Sequence, residues 1–258
     1  MVEAIRRLGG ATTRIVADLG AMAHFSGAIA RDAVTPPWRL RNVVDEVYKL
    51  GVLSLLIICV CGLAVGMVLG LQGYNTLERF GATQSLGAVV GLSLVRELGP
   101  VLTALLVTGR AGSATAAEIG TMVATEQLDG LRMMSVDPVD YIVTPRALAM
   151  ALVMPLLAAL FIVCGIFGGW LVGVRLLGVD PGAYMTGLEN AVDLRDDLAG
   201  CLLKAVVFGV LVGLISTWRG YTSAPTSAGV SAATTATVVV GSVSILIFDY
   251  FITALWGV

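Results

Sequence analysis

Histidine is nearly absent. His24 is the only one in 258 residues, which argues against a histidine-based metal site and leaves little scope for a Ser-His-Asp hydrolase; a surface or interface place suits it better. Cysteine is scarce too: Cys59, Cys61, Cys164 and Cys201 all lie in apolar runs, without the spacing of a metal site or a disulfide framework, and read as small core residues. No Gly-x-x-x-x-Gly-Lys-Ser/Thr phosphate loop occurs, so the chain is not itself a nucleotide-hydrolysing subunit, and energy for any work comes from a partner or a gradient. Charge is the third shortage. Only 13% of residues are charged against 57% hydrophobic, with a net charge of −2 and a mean hydropathy of +0.90, values that belong to a membrane protein. Spanning segments use up most of the length, so no separate catalytic domain is expected, and no metal or cofactor held by this chain.

Five stretches are apolar and long enough to cross a bilayer, at about residues 50–72, 86–108, 147–177, 199–218 and 233–256. The expected fold is therefore an all-α integral membrane protein with five transmembrane helices. Gly62, Gly66 and Gly70 in the first span, and Gly165, Gly169 and Gly173 in the third, recur every four residues and predict smooth faces on which helices approach closely; Gly209 and Gly213 repeat the pattern in the fourth.

Ahead of the spans, Ile5, Leu8, Ile15, Leu19, Met22 and Ile29 fall at helical spacing with Arg6, Arg7, Arg14 and Arg31 between them. This predicts an amphipathic helix lying in the membrane surface, and no apolar run suggests a cleaved signal peptide. Thr35-Pro36-Pro37 breaks that helix, and Trp38, Arg39, Arg41, Tyr48 and Lys49 form an interfacial anchor. Residues 1–47 are thus expected to form an interfacial helix and elbow, and residues 48–258 a single five-span membrane domain. Basic residues of the N-terminal region, with Arg110, Arg132 and Arg146 between spans two and three, predict a cytoplasmic N-terminus and a C-terminus on the opposite side. The loop between spans three and four is acidic, and Asp180-Pro181 in it predicts the start of a short surface helix.

Arg96 and Glu97 are adjacent opposite charges inside the second apolar run. An ionisable group at membrane depth costs at least ~2.5 kcal/mol on insertion scales and by default marks a substrate pathway or a structural ion pair. Gly99-Pro100 predicts that the helix kinks or loosens just after the pair. Lys204 either snorkels to the interface or lines a cavity, and Asp249 is expected in an inter-helix hydrogen bond or ion pair. Between spans two and three, Glu126-Gln-Leu128-Asp129-Gly-Leu131-Arg132-Met133-Met134 predicts a short helix lying across the membrane, with Leu128, Leu131 and Met134 on one face and Glu126, Asp129 and Arg132 on its flanks. Such a face needs a partner, either lipid headgroups or a groove in a cytosolic protein.

The segment Glu126–Pro138, closing with Ile142-Val-Thr-Pro145-Arg146, resembles the coupling-helix motif by which ABC transporter permeases dock on their ATPase, with Gln127 and Leu128 where small residues are usual and Ser135 where glycine is usual. A wider resemblance covers nearly the whole chain. Leu94-Val-Arg-Glu-Leu-Gly-Pro-Val-Leu-Thr103, Gly109-Arg-Ala-Gly-Ser113, Ala117-Glu-Ile-Gly-Thr-Met122, Val192-Asp-Leu-Arg-Asp-Asp197, and Pro225-Thr-Ser-Ala-Gly-Val230 with Ala233-Thr-Thr235 are similar to the MlaE/YrbE permease family.

The resemblance implies a multi-pass permease of the bacterial inner membrane, with its C-terminus in the periplasm. It implies a homodimer that works with a cytosolic ABC ATPase consuming ATP, a STAS-domain subunit and a periplasmic MCE-domain protein to move phospholipids; nucleic acid is not an expected partner. The family's association with outer-membrane lipid asymmetry suggests retrograde flow. Under this view Arg96, Glu97 and Lys204 sit near a lipid headgroup in a cavity on a twofold axis, and Leu69, Leu77 and Phe80 are candidates for contact with acyl chains. Glu126, Leu128, Asp129, Leu131 and Arg132 are the candidates for ATPase coupling. Two rivals remain: an ABC permease for a sterol, fatty acid or small solute, and a secondary transporter using Glu97 and Asp249 as a proton relay. Five spans without an evident internal repeat fit the second rival poorly.

Overall fold

A computed structural model describes residues 2–35, 40–193 and 195–256, with the side chains of residues 2–16, 19 and 256 outside that description. The roles expected of Ile5, Leu8, Ile15, Leu19, Arg6, Arg7 and Arg14, and of Pro36, Pro37, Trp38 and Arg39, lie outside the described residues. The described chain is all helical: α1 (Val2–Val34), α2 (Leu40–Val47), α3 (Leu53–Glu78), α4 (Leu86–Ser93), α5 (Gly99–Val107), α6 (Ser113–Ala124), α7 (Gln127–Met133), α8 (Thr144–Trp170), α9 (Pro181–Ala191), α10 (Asp196–Tyr221) and α11 (Ser227–Trp256). Wider π-turns at Tyr48–Val52, Leu94–Leu98, Thr108–Gly112, Val139–Val143 and Leu171–Leu176 join several of these into longer rods.

Five helical runs are long and apolar enough to cross a membrane: Leu40–Glu78, Thr83–Ala124, Val139–Leu176, Asp196–Tyr221 and Ser227–Leu255. They overlie the five expected spans. The second, at 42 residues, measures roughly 63 Å at 1.5 Å per residue, about twice the hydrocarbon thickness, so α6 carries it well past the bilayer.

The central element is α8, and glycine decides how its neighbours sit. A Cβ on Gly62 would lie 2.7 Å from the Phe161 carbonyl, one on Gly66 would overlap the Gly165 carbonyl, and one on Gly70 would lie 3.0 Å from the Gly169 carbonyl. The two glycine rows thus face each other, and α3 and α8 touch backbone to backbone, the contact that substitutes for a hydrophobic drive inside lipid. On another face, Gly209 and Gly213 of α10 lie against Met150 and Ala147 of α8, where an added Cβ would meet the Met150 and Ala147 carbonyls at 3.0 Å each. Phe161, Met154, Phe208, Leu94 and Ile58 fill the space between, all fully buried.

Two peripheral helices each pack one side on the bundle. On α1, Phe25 and Ile29 are buried against Val143 and Ala147, and the Phe25 ring lies 5.2 Å from Trp218 and 5.3 Å from Tyr221, so part of the amphipathic face covers protein. His24 is exposed. In the loop between spans three and four, the Asp180 carboxylate accepts the Ala183 N–H at 2.8 Å and starts α9, as Asp-Pro predicts. That helix keeps an exposed outer face, as expected of a surface helix, and packs through Tyr184 on its inner side. Tyr184 is fully buried against Gly87 and Gly169, donates to the Ile166 carbonyl at 3.2 Å, and burial pushes its phenol up to about 12.

Candidate functional site

Arg96 and Glu97 do not pair with each other. Arg96 Nε donates to Asp197 Oδ1 at 2.8 Å, while Glu97 Oε1 accepts Lys204 Nζ at 3.0 Å and the Thr253 hydroxyl at 3.1 Å. Lys204 Nζ also donates to Thr253 Oγ1 and to the Arg96 carbonyl, both at 2.8 Å, and stands 3.2 Å from Asp249. Five ionisable side chains from three spans therefore share one site: two from the second, Asp197 and Lys204 from α10, and Asp249 from α11.

The local backbone explains how span two takes part. The loosening expected after the charged pair instead encloses it, as the π-turn Leu94–Leu98. A π-turn brings successive side chains closer in direction than an α-turn does, and it lets Arg96 and Glu97 both reach α10. Pro100 has no N–H for the carbonyl four residues back, which is that of Arg96, and this is the carbonyl that accepts Lys204. The proline thus creates an acceptor inside the bundle, and the lysine satisfies it.

Lys204 does not snorkel. Its side chain is 6% exposed, as is fitting for an ammonium whose donors are all engaged, and that of Asp197 is 3% exposed. Arg96 and Glu97, at 40% and 43%, form the open lip above them. The Lys204 and Asp197 charges persist at this depth because each is hydrogen-bonded, whereas Asp249 Oδ1 is held by the ion pair alone. Asp249 holds the inter-helix ion pair its sequence position predicts. The cleft between these residues, also lined by Asp196, Gly200, Cys201 and Ile252, encloses about 30 Å³, room for a water molecule and not for a lipid.

Leu69, Leu77 and Phe80 do not join this cleft. Leu69 and Leu77 are half-buried against the protein's own core, and Phe80 is exposed at the end of α3. Two residues of the site carry no sequence expectation as such. Asp197 counts only as one of the acids in the loop and the end of a family motif, and Thr253 is unremarked. Helical spacing is the signal for both, since Asp197, Cys201 and Lys204 fall at i, i+4 and i+7, and Asp249 and Thr253 at i and i+4.

At the opposite end of the bundle, the short helix α7 lies where the amphipathic pattern predicts it. Leu128 is buried and Leu131 half-buried, whereas Met134 does not share their face: the helix ends at Met133, and Met133 and Met134 are 89% and 67% exposed. Glu126 precedes the helix with φ +57°, and Ser135 follows it at φ +59°, a left-handed conformation that costs least for glycine. Arg132 is bonded inside the molecule, to Asp129 Oδ1 at 2.6 Å and to the Tyr221 hydroxyl at 2.6 Å. The Tyr221 hydroxyl also holds the Arg132 guanidinium above its ordinary range, with Asp129 adding to the effect. Nearby, Arg146, buried at the start of α8, reaches Glu118 at 2.8 Å and Glu46 at 3.4 Å, and Arg110 donates to Ser54 at 2.8 Å. These bonds tie α2, α6 and α8 into one platform. Replacing Arg146 with alanine takes the guanidinium from Glu118 and leaves Glu46 to Lys49, 3.2 Å away, so a lower melting temperature in detergent is expected.

The sequence model of the family Permease MlaE matches residues 43–255. The Haemophilus influenzae protein named intermembrane phospholipid transport system permease protein MlaE is 52% identical over 213 residues, covering 83% of this chain and 82% of the relative. A probable ABC transporter permease protein of Rickettsia typhi is 41% identical over 248 residues, 96% of this chain and 95% of its own. In Arabidopsis thaliana, the chloroplastic protein TRIGALACTOSYLDIACYLGLYCEROL 1 is 35% identical over 215 residues, 83% of this chain and 61% of that protein.

Proposed function

Since the chain belongs to the MlaE permease family, we propose that it is the membrane-spanning subunit of an ATP-driven ABC transporter that moves phospholipids between two membranes. The observation that carries the reading is the 52% identity to a phospholipid transport permease, together with the family match over residues 43–255, a stretch that includes the whole charged site. The site itself supplies the chemistry. Arg96 and Glu97 are the two partly open members, a cation and an anion side by side, as a headgroup bearing a phosphate and an amine requires.

The lipid is held between two copies of the chain rather than within one. Its cleft of about 30 Å³ is too small for a lipid, and the first and fifth spans are the least covered, with 22% and 11% of their apolar windows buried against more than 40% for the other three. Those faces suit a second copy, acyl chains, or both in sequence. Leu69, Leu77 and Phe80 belong with the tails in this arrangement. The N-terminus and α7 face the cytosolic ATPase, with Glu126, Asp129, Leu131 and the exposed Met133 and Met134 in the docking region and Leu128 holding α7 in place from within. The opposite end, which carries α9, faces the periplasm, where an MCE-domain protein receives or delivers lipid; a STAS-domain subunit completes the assembly. ATP is bound by the ATPase and no cofactor by this chain. The flow runs from outer to inner membrane.

The test is lipid transfer by the permease reconstituted with its ATPase in proteoliposomes. Glu97→Gln and Arg96→Ala are expected to lower ATP-dependent transfer by about tenfold, the factor that corresponds to losing one charge-assisted contact worth ~1.4 kcal/mol, with ATPase copurification unchanged. Undiminished transfer by both variants would remove the site from the pathway. Gradient-driven transfer without an ATPase would favour the secondary-transporter reading instead.

A further inference from the structure

The helix α7 has two physical routes to the charged site, and only one of them is covalent. Through α6 it continues into span two, which carries Arg96 and Glu97. The other route is the bond from Arg132 Nη2 to the Tyr221 hydroxyl, 2.6 Å long, with the guanidinium also 5.9 Å from the centre of the Tyr221 ring. Tyr221 is the last residue of α10, and near the other end of that helix are Asp197 and Lys204. Asp197 and Tyr221 stand 24 positions apart on one helix, a rod of roughly 36 Å at 1.5 Å per residue. Its middle is seated on α8 by Gly209 and Gly213 and contains no proline or wide turn.

The two routes therefore converge. The helices that α7 grips are the ones joined at their far ends by Arg96–Asp197 and Glu97–Lys204. A displacement of α7 that travels along span two alone shears those ion pairs, whereas one that also pulls on Tyr221 carries both halves of the site together. We propose that the Tyr221 hydroxyl is a positioning group for transport: by holding Arg132 it makes α10 a second arm of the coupling helix. The proposal rests on the reading of the chain as an ABC permease.

The ring of Tyr221 has a separate job. It packs on Phe25, so removing only the hydroxyl leaves the junction of α1 with α10 in place. The experiment is Tyr221→Phe in the reconstituted complex, with four readouts: melting temperature, ATPase copurification, ATP turnover and lipid moved per ATP. The expected result is that the first three match wild type while lipid moved per ATP falls at least about threefold, a modest share of what a hydrogen bond to a charged group contributes. Lipid moved per ATP equal to wild type overturns the proposal. A fall in transport that only tracks a lower melting temperature or poorer copurification overturns it too, because the bond is then a folding contact. A wild-type complex that moves no lipid with ATP overturns the functional reading, a result read before the variant is considered.

Discussion

Gly66→Leu is expected to yield little or no monodisperse protein from detergent extracts. A side chain at this position has nowhere to go, because its Cβ alone would lie 2.5 Å from the Gly165 carbonyl carbon and 2.7 Å from Gly165 Cα. Overpacking against movable side chains costs about 1–3 kcal/mol; against the backbone of a neighbouring helix the cost lies at or above the top of that range. The α3–α8 seam would separate along its length, since Gly62 and Gly70 depend on the same close approach. Gly27→Leu is the control, with no atom within 4 Å of its added Cβ, and its melting temperature should match wild type. A Gly66→Leu protein that melts with the wild type would show that the seam is not the main contact of the fold.

Lys204→Met is expected to destabilise and inactivate at once. The substitution keeps most of the volume and removes the cation, leaving Glu97 and Asp249 facing each other and the Arg96 carbonyl without its donor. Removing one partner of a buried pair costs about 3–5 kcal/mol, and here the cost falls mainly on Asp249, which stays largely buried without compensation, while Glu97 on the open lip can turn to solvent. Lipid transfer should fall to background, and the melting temperature should drop. Adding Asp249→Asn to Lys204→Met removes one stranded charge and is expected to recover part of the stability without recovering transfer, which separates the folding role of the lysine from its role in the site. Wild-type stability in Lys204→Met would mean that the lysine's ion pairs do not hold the bundle together.

The five spans, the seam glycines and α7 were legible because each rests on a periodicity: hydropathy over a bilayer thickness, glycine every four residues, an apolar stripe over two turns. The charged site was half legible. Arg96, Glu97, Lys204 and Asp249 stand out against an apolar background, but their partners depend on which helices lie side by side, and no local pattern carries that. Arg96 and Glu97 look like a pair only because they are neighbours in sequence. Asp197 is hidden by its place among loop acids, although its spacing to Lys204 puts both on one stripe of α10. Phe25 was obscured differently. In an amphipathic helix an aromatic residue that faces lipid and one that packs on Trp218 and Tyr221 give the same pattern, and the choice between them is made by the ends of spans three and four. Tyr184 follows the same logic, since Gly87 makes room for its backbone and Gly169 for its hydroxyl.

The separation of Arg96 from Glu97 gives the dipeptide a parity. If the two were a self-contained pair, writing them as Glu-Arg would change nothing but handedness. With each answering to a different residue of α10, the permuted order sets a carboxylate against Asp197 and a guanidinium against Lys204, two like-charge encounters built from an unchanged composition. What span two encodes at this point is a sequence of signs, matched to an opposite sequence of signs two turns long on its neighbour.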